Sequence, residues 1–241
     1  ASRMRLSTPG QLVVRCRRAT RIIGSRYPPI NLFERVSPDP EVWEALIAAE
    51  QSVNPRVRDE AGEIRLVAPE ERVAGPGASY VMACFTHLNP KGSRFSGQRA
   101  GACYAGREFE TALRETAYHF GRFAADSNDP PRYETMRVLV GSIDARLHDV
   151  GSMPARERAA VLNPDSYAAS QFLAQQLRDG GSNGVVYSSV RNAGGQCVAV
   201  FRPRAVGIPV PTKHLRYHWD GTRVARYFDH SDDRWRAIWP D

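Results

Sequence analysis

"KGSRFSGQRAGACYAGREFETALRETAYH", residues 91–119, decides how this chain reads. A glycine-bracketed turn carries Arg94. "GACYA" reads as a short strand holding Tyr104, and the helix that follows carries Glu115. In that helix Phe109, Leu113, Thr116, Ala117 and Phe120 form one apolar stripe. Glu115 falls about 130° from the stripe's centre on a 100°-per-residue wheel, with His119 one turn along. An acid at the edge of a core stripe sits where grooves form. It is also what any solvated helix glutamate paired with Arg122 looks like, so position alone does not make it a site.

Working outward, "RYPPINLFERV" reads as extended, because a residue before proline is pushed out of the helical region. "DPEVWEALIAAEQSV" has Pro40 near a helix start and apolar residues at 42, 43, 46, 47 and 49, a helix. A charged connector follows, with a short strand predicted at 64–67 and a Gly-Pro-Gly turn. "SYVMACFTHL" reads as a strand from its aromatic and apolar content, and "YETMRVLVGSI" as a half-buried one. "NPDSYAASQFLAQQLRDGGSNG" reads as a helix opening at Asp165 and closing on Gly180 or Gly181. "VVYSSVRNAGGQCVAVFRP" and "HLRYHWDGTRVARYF" each read as a hairpin around a turn. Strands that pair locally with helices inserted between them make the fold class α+β, mainly antiparallel short strands.

The 241 residues, 42% hydrophobic and 24% charged, suit one globular domain. No run of about 18 apolar residues occurs, and the N-terminal apolar stretch is too short for a secretory signal. Cys16, Cys84, Cys103 and Cys197 are scattered, which fits reduced thiols in the cytoplasm. Residues 1–30 hold seven arginines and no acid, so the net charge of +7 belongs to this segment and the remainder is neutral. Residues 1–19 therefore read as a basic arm, disordered, laid on the surface, or touching nucleic acid or an acidic partner. Residues 20–241 read as one domain with an insertion at about 37–78.

Familiar chemistry is missing. "AGPGA" is no phosphate loop, and neither a G-x-G-x-x-G helix start nor a G-x-S-x-G elbow occurs. His214 and His218 share a strand face without a third ligand, so no metal is expected. "DHSDD" reads as a solvated acidic loop. Ser189 is placed on the same strand face as Tyr187.

Taken in order, "FTHLNPKGSRFS", "YAGREFETALRETAYH", "NPDSYAASQFLAQQLRDGGSNGVVYSSVR" and "GGQCVAVFRP", with "RYPPINLFERV" and "HLRYHWDGTRV", resemble the longer variety of the RES-domain family across roughly residues 20–225. The resemblance implies a fold similar to ADP-ribosyltransferase toxins and the activity of an NAD-degrading toxin from a bacterial toxin–antitoxin pair. The family's arginine, tyrosine, glutamate and serine fall on Arg94, Tyr104, Glu115 and Ser189. Its N-terminal arginine is matched to Arg35, with Arg21, Arg26 and Arg56 as alternatives. NAD is then the substrate, with no prosthetic group. Glu115 stabilises the cationic ribose, Arg94 and Arg35 hold the pyrophosphate, Tyr104 stacks on nicotinamide, and Ser189, beside Tyr187, bonds its carboxamide or the ribose.

Water as acceptor makes the protein a glycohydrolase, inorganic phosphate makes it a phosphorylase, and a side chain makes it a protein ADP-ribosyltransferase. The implied partner is an Xre-like DNA-binding antitoxin covering the cleft. A nucleic-acid-binding module using the basic arm is the reading from a different class.

Overall fold

The computed structural model describes residues 5–25, 39, 42–51 and 62–239. Eight strands among these form one sheet: β1 (Gln11–Gly24), β2 (Cys103–Gly106), β3 (Arg132–Asp149), β4 (Gly184–Ser188), β5 (Gln196–Val200), β6 (Val210–Trp219), β7 (Val224–Asp229) and β8 (Arg234–Ala237). Neighbours run β1-β2-β5-β4-β3-β6-β7-β8, and β1 also pairs with β3, so the first five strands close on themselves. Every pairing is antiparallel except β3 with β4. The α+β reading stands. Both hairpins form where the turn signals put them, and β8 adds a strand to the second.

The basic N-terminal segment is not an arm from residue 11 onward. Gln11–Gly24 runs the length of β3, from Gln11 opposite His148 to Gly24 opposite Met136, with a bulge between Cys16 and Ala19. The arginines hid a period of two. Val14 and Cys16 pack towards the core while Arg15 and Arg17 stay exposed, and past the bulge Thr20 and Ile22 are buried. The nucleic-acid-module reading rested on a free arm and loses that support.

Helices α1 (Trp43–Gln51) and α2 (Ala78–Thr86) share a core with β1, β2 and β5, in which Trp43, Ile47, Val81 and Met82 are buried beside Val198 and Val200. The predicted insertion thus supplies core. Its strand at 64–67 is instead a single 3-10 turn, Ile64–Leu66, with Glu63 accepting from the Arg65 amide. The strand predicted for "SYVMACFTHL" is α2. A continuous apolar run fits a buried helix as well as a strand, and here residues 78, 81, 82 and 85 are buried at helical spacing. The Gly-Pro-Gly turn feeds that helix, with Gly77 at φ +85° in its N-cap.

Helix α3 (Phe109–Asp126) buries Leu113 and Ala117 against Leu215, Tyr217 and Trp219. A short helix, α4 (Ala155–Val161), precedes α5 (Ala168–Asp179), which packs Leu173 and Leu177 against β4 and β5. Helix α5 starts at Ala168 rather than Asp165, because Asn163 accepts from the amides of Asp165 and Ser166 and makes its own turn first. Asp229, read as part of a solvated loop, is buried and bonds Lys213 at 2.6 Å. "RYPPINLFERV" beyond residue 25 lies outside the described residues.

The join between β2 and α3 leaves no room for a side chain. A Cβ on Gly106 would meet the Ala112 amide nitrogen at 2.6 Å and the Glu108 carbonyl oxygen at 3.0 Å. Gly106→Ala should therefore cost about 1–3 kcal/mol, read as a lower midpoint in urea unfolding with an unchanged slope.

Candidate functional site

Strands β1 and β2 share one register pair, Thr20 with Gly106. Where they part, a cleft of about 460 Å³ opens. It is walled by β1, α2, the 92–96 turn, β2 and α3, and Arg94, Tyr104, Glu115, His119 and Tyr187 all line it.

Glu115 is well covered, its side chain 17% exposed. Its Oε1 accepts from Ser189 Oγ at 2.6 Å and has Cys197 Sγ 3.9 Å away, while Oε2 lies 3.7 Å from His119 Nε2. The serine's role is fixed by what else it touches. Its Oγ accepts from the amides of Arg191 at 3.1 Å and Asn192 at 3.0 Å, so its single proton goes to Glu115. Ser189 sits just past the end of β4, in a turn clamped to α3 by Asn192 Nδ2 to Thr111 (2.8 Å) and Arg114 Nη1 to Asn192 Oδ1 (2.9 Å). It does not line the cleft. The serine expected at the ligand hydrogen-bonds the carboxylate here.

Arg94 is 6% exposed. Its Nη1 donates to the carbonyls of Asn163 at 2.7 Å and Val161 at 3.3 Å, just past α4, and its guanidinium lies 4.7 Å over the Tyr167 ring. The arginine both lines the cleft and ties down the end of a helix, where a cation is favourable. Tyr104 serves the 93–96 turn. Its hydroxyl accepts from the Phe95 amide at 2.8 Å and lies 2.6 Å from Ser93 Oγ. Tyr187 is buried and packs on Phe95, ring centroids 4.8 Å apart. Burial pushes the pKa of both phenols up, so each stays protonated.

Desolvation holds the His119 imidazole below its ordinary pKa of 6.5 although half of its side chain is exposed, outweighing Glu115, with Arg191, Arg94 and Arg122 acting in the same direction. The ring is neutral at pH 7. The Arg191 guanidinium lies over the Tyr118 ring, 3.4 Å from its centroid, and donates to the Pro164 carbonyl at 2.9 Å.

Sequence reasoning missed Tyr167. The residue lines the cleft with Arg94 over its ring, and its buried hydroxyl has no hydrogen-bond partner within the protein. The one signal was its place in "NPDSY", absorbed there by the helix assignment. Of the N-terminal arginine candidates, Arg35, Arg26 and Arg56 lie outside the described residues, while Arg21 lines the cleft and donates to the Tyr80 carbonyl at 2.8 Å. Among the described residues no group of three His, Cys, Asp or Glu side chains is placed to hold a metal, and no helix is long and apolar enough to cross a membrane.

A carboxylate, an imidazole and a buried arginine thus line one mainly apolar cleft beside an α+β sheet, the arrangement of convergent polar groups in an apolar pocket that small-ligand sites take. The RES domain family model matches residues 69–220, more than half of the chain. The chain belongs to the RES-domain family. The uncharacterized protein y4oC of Sinorhizobium fredii (strain NBRC 101917 / NGR234) is 27% identical over 213 residues, covering 88% of this chain and 87% of that protein. Among solved structures, a chain from the crystal structure of the M. tuberculosis MbcT-MbcA toxin-antitoxin complex aligns at TM-score 0.44 and 10% identity, covering 85% of each chain.

The charges around His119 give a signed test. Its midpoint, followed by NMR, should lie below 6.5, rise in Arg191→Gln and fall further in Glu115→Gln. In stability terms the unfolded histidine takes up a proton near pH 6.5 that the folded one resists. The stability owed to this ring is therefore present above that pH and lost as pH falls through the folded midpoint.

Proposed function

We propose that this protein is the NAD-degrading toxin of a bacterial toxin–antitoxin module, breaking the nicotinamide–ribose bond at the cleft around Glu115. One observation carries the reading: a covered carboxylate, oriented by a serine that has no other use for its proton, faces a cleft that a buried arginine also lines. Family membership supports it through the resemblance described above.

The chemistry suits these groups. As the bond from the ribose C1′ to the pyridinium nitrogen breaks, nicotinamide takes both electrons and leaves neutral, and positive charge passes to the sugar. A fixed carboxylate in a site with little water stabilises that charge more than it would in solvent. Ser189 holds Oε1 and leaves Oε2 on the His119 side, so the carboxylate has one orientation before substrate arrives. Arg94 supplies positive charge for the pyrophosphate, and its bonds to the Val161 and Asn163 carbonyls hold that charge in place. The Tyr104 and Tyr187 rings provide flat walls for nicotinamide, and the Tyr167 hydroxyl is a free donor for a ligand oxygen.

The acceptor then adds to C1′. Water gives ADP-ribose and a proton, and inorganic phosphate gives the 1-phosphate. No resident cofactor is needed, because the leaving group is already cationic in the substrate. In the cell, the partner that restrains such an activity is an Xre-like DNA-binding antitoxin seated over the cleft, with DNA contacted through that partner and the toxin acting in the cytoplasm.

Incubating the purified chain with NAD, with and without phosphate, and weighing the products tests the reading. Nicotinamide release should fall roughly 10²-fold or more in Glu115→Gln, with ADP-ribose or its 1-phosphate naming the acceptor. NAD left intact by folded, partner-free wild type would sink the proposal. Label transferred to protein would replace it with ADP-ribosyl transfer to a side chain.

Ser189→Ala separates positioning from binding. It should lower kcat about tenfold or more while KM stays near wild type, since the serine touches the carboxylate and not the cleft. A change confined to KM would place Ser189 on the substrate instead.

A further inference from the structure

Away from the cleft, the face of the sheet turned from α3 carries a cluster of arginines and aromatic rings. On β6, Leu215, Tyr217 and Trp219 point into the core beneath α3, so the residues between them point out. Register then sets Tyr133 beside His218, Arg216 beside Phe228, His218 beside Arg226 and Phe228 beside Trp235 on that outer face. Tyr133 is 54% exposed and Trp235 37%. Strands β3 and β8 flank β6 and β7, which puts their backbones about 14 Å apart at ordinary strand spacing. The Tyr133 and Trp235 ring centroids nevertheless come within 5.8 Å. The face is therefore a trough, with these two rings leaning together across it.

Arg216 lies in the trough, its guanidinium 5.3, 5.1 and 5.7 Å from the ring centroids of Tyr133, Phe228 and Trp235. Its Nε is buried and has no hydrogen-bond partner within the protein. Arg226 stands beside it, 4.7 Å from the Trp235 centroid, with Nε donating to His218 Nδ1 at 3.3 Å. Carboxylates are kept away from both. Across residues 133–137, 214–218, 226–228 and 235–237 the one acid is Glu134, buried opposite Tyr217 and paired with Arg132. Asp229 and Asp232, by the turn after β7, are held by Lys213 and Arg236. Two cations framed by rings and left without a counter-charge suit an anion that also offers flat surface.

We propose that this outer face of β3, β6, β7 and β8 binds single-stranded nucleic acid, with bases stacked on Tyr133 and Trp235 and phosphates held by Arg216 and Arg226. A strand of nucleotides matches both halves of the surface. Each base has a flat face for an exposed ring, and each phosphate has oxygens that accept from a guanidinium. An acidic peptide would satisfy the arginines and leave the rings with little to stack on. A duplex keeps its bases stacked on one another and closed to these rings. The surface lies across the sheet from α3 and uses none of the N-terminal arginines, so it stands whether or not the cleft cleaves NAD.

The test follows the fluorescence anisotropy of an end-labelled oligothymidylate of about twelve nucleotides as the full chain is added at low salt. Binding should weaken as salt rises, with a log–log slope of roughly −0.7 for each phosphate contacted. Tyr133→Ala and Trp235→Ala, both at exposed positions, should each weaken it about fivefold or more. Arg226→Gln should weaken it and make the salt slope shallower by about 0.7. Arg17→Gln, at an exposed position on β1, should leave the affinity near wild type. No detectable binding, equal affinity for a duplex of the same length, or wild-type affinity in both ring variants overturns the proposal. So does a poly-glutamate peptide that binds as tightly and is weakened by the same ring substitutions, which would make the surface a site for an acidic protein.

Discussion

The backbone contact at Gly106 is the constraint on which the site depends. Strand β2 passes into α3 so closely that even a methyl group would strike the helix's first turns. That contact fixes the helix against the sheet edge at the point where β1 and β2 part. Glu115, two turns into α3, then has nowhere to face but the gap between the strands. The core side of the same helix, with Leu113 and Ala117 against the β6–β7 hairpin, prevents it from rolling away. Packing thus does the aiming, and the polar groups need only refine it.

The refinement comes from the β4–β5 turn. A carboxylate in a covered position is costly unless it is hydrogen-bonded, and a hydroxyl is a weak guide when it is free to rotate. Ser189 avoids that weakness because two backbone amides fill its acceptor sites. Desolvation first, and then the positive charge of Arg191, Arg94 and Arg122, hold His119 below its ordinary pKa beside an acid that pulls the other way.

How much of this the sequence disclosed depended on how local each signal was. The helix carrying Glu115 and both hairpins were legible because stripe and turn residues lie within a few positions of one another. The β1 strand was not, since its partner β3 lies more than a hundred residues on and its exposed arginines looked like a solvated leader. Helix α2 was misread because a run that is apolar all round carries no period to separate helix from strand. Arg94, Tyr104 and Glu115 were found in one short stretch, and the structure brings them to one cleft with Tyr187. The serine was found, but its bond to Glu115 was not, because residue type reveals a donor but not its acceptor. Tyr167 was missed because an orphaned hydroxyl shows only once its surroundings are known.

Arg94 shows why binding and stability are hard to separate in this fold. A guanidinium aimed by solvent-facing bonds would be mobile, and its charge would be screened. Here the arginine is buried, with carbonyls on Nη1 and an aromatic ring below it, so its position is set by the same contacts that hold the end of α4 and the start of α5. Loss of its charge therefore also leaves those carbonyls short of a donor and Tyr167 without its cover. Tyr167, which lines the cleft, lies under the arginine that lines it too, so a ligand bound to either residue stabilises the connection between the two helices. Occupancy of the cleft should accordingly be felt as rigidity in this part of the chain, and an empty cleft as a local weak point in an otherwise closed sheet.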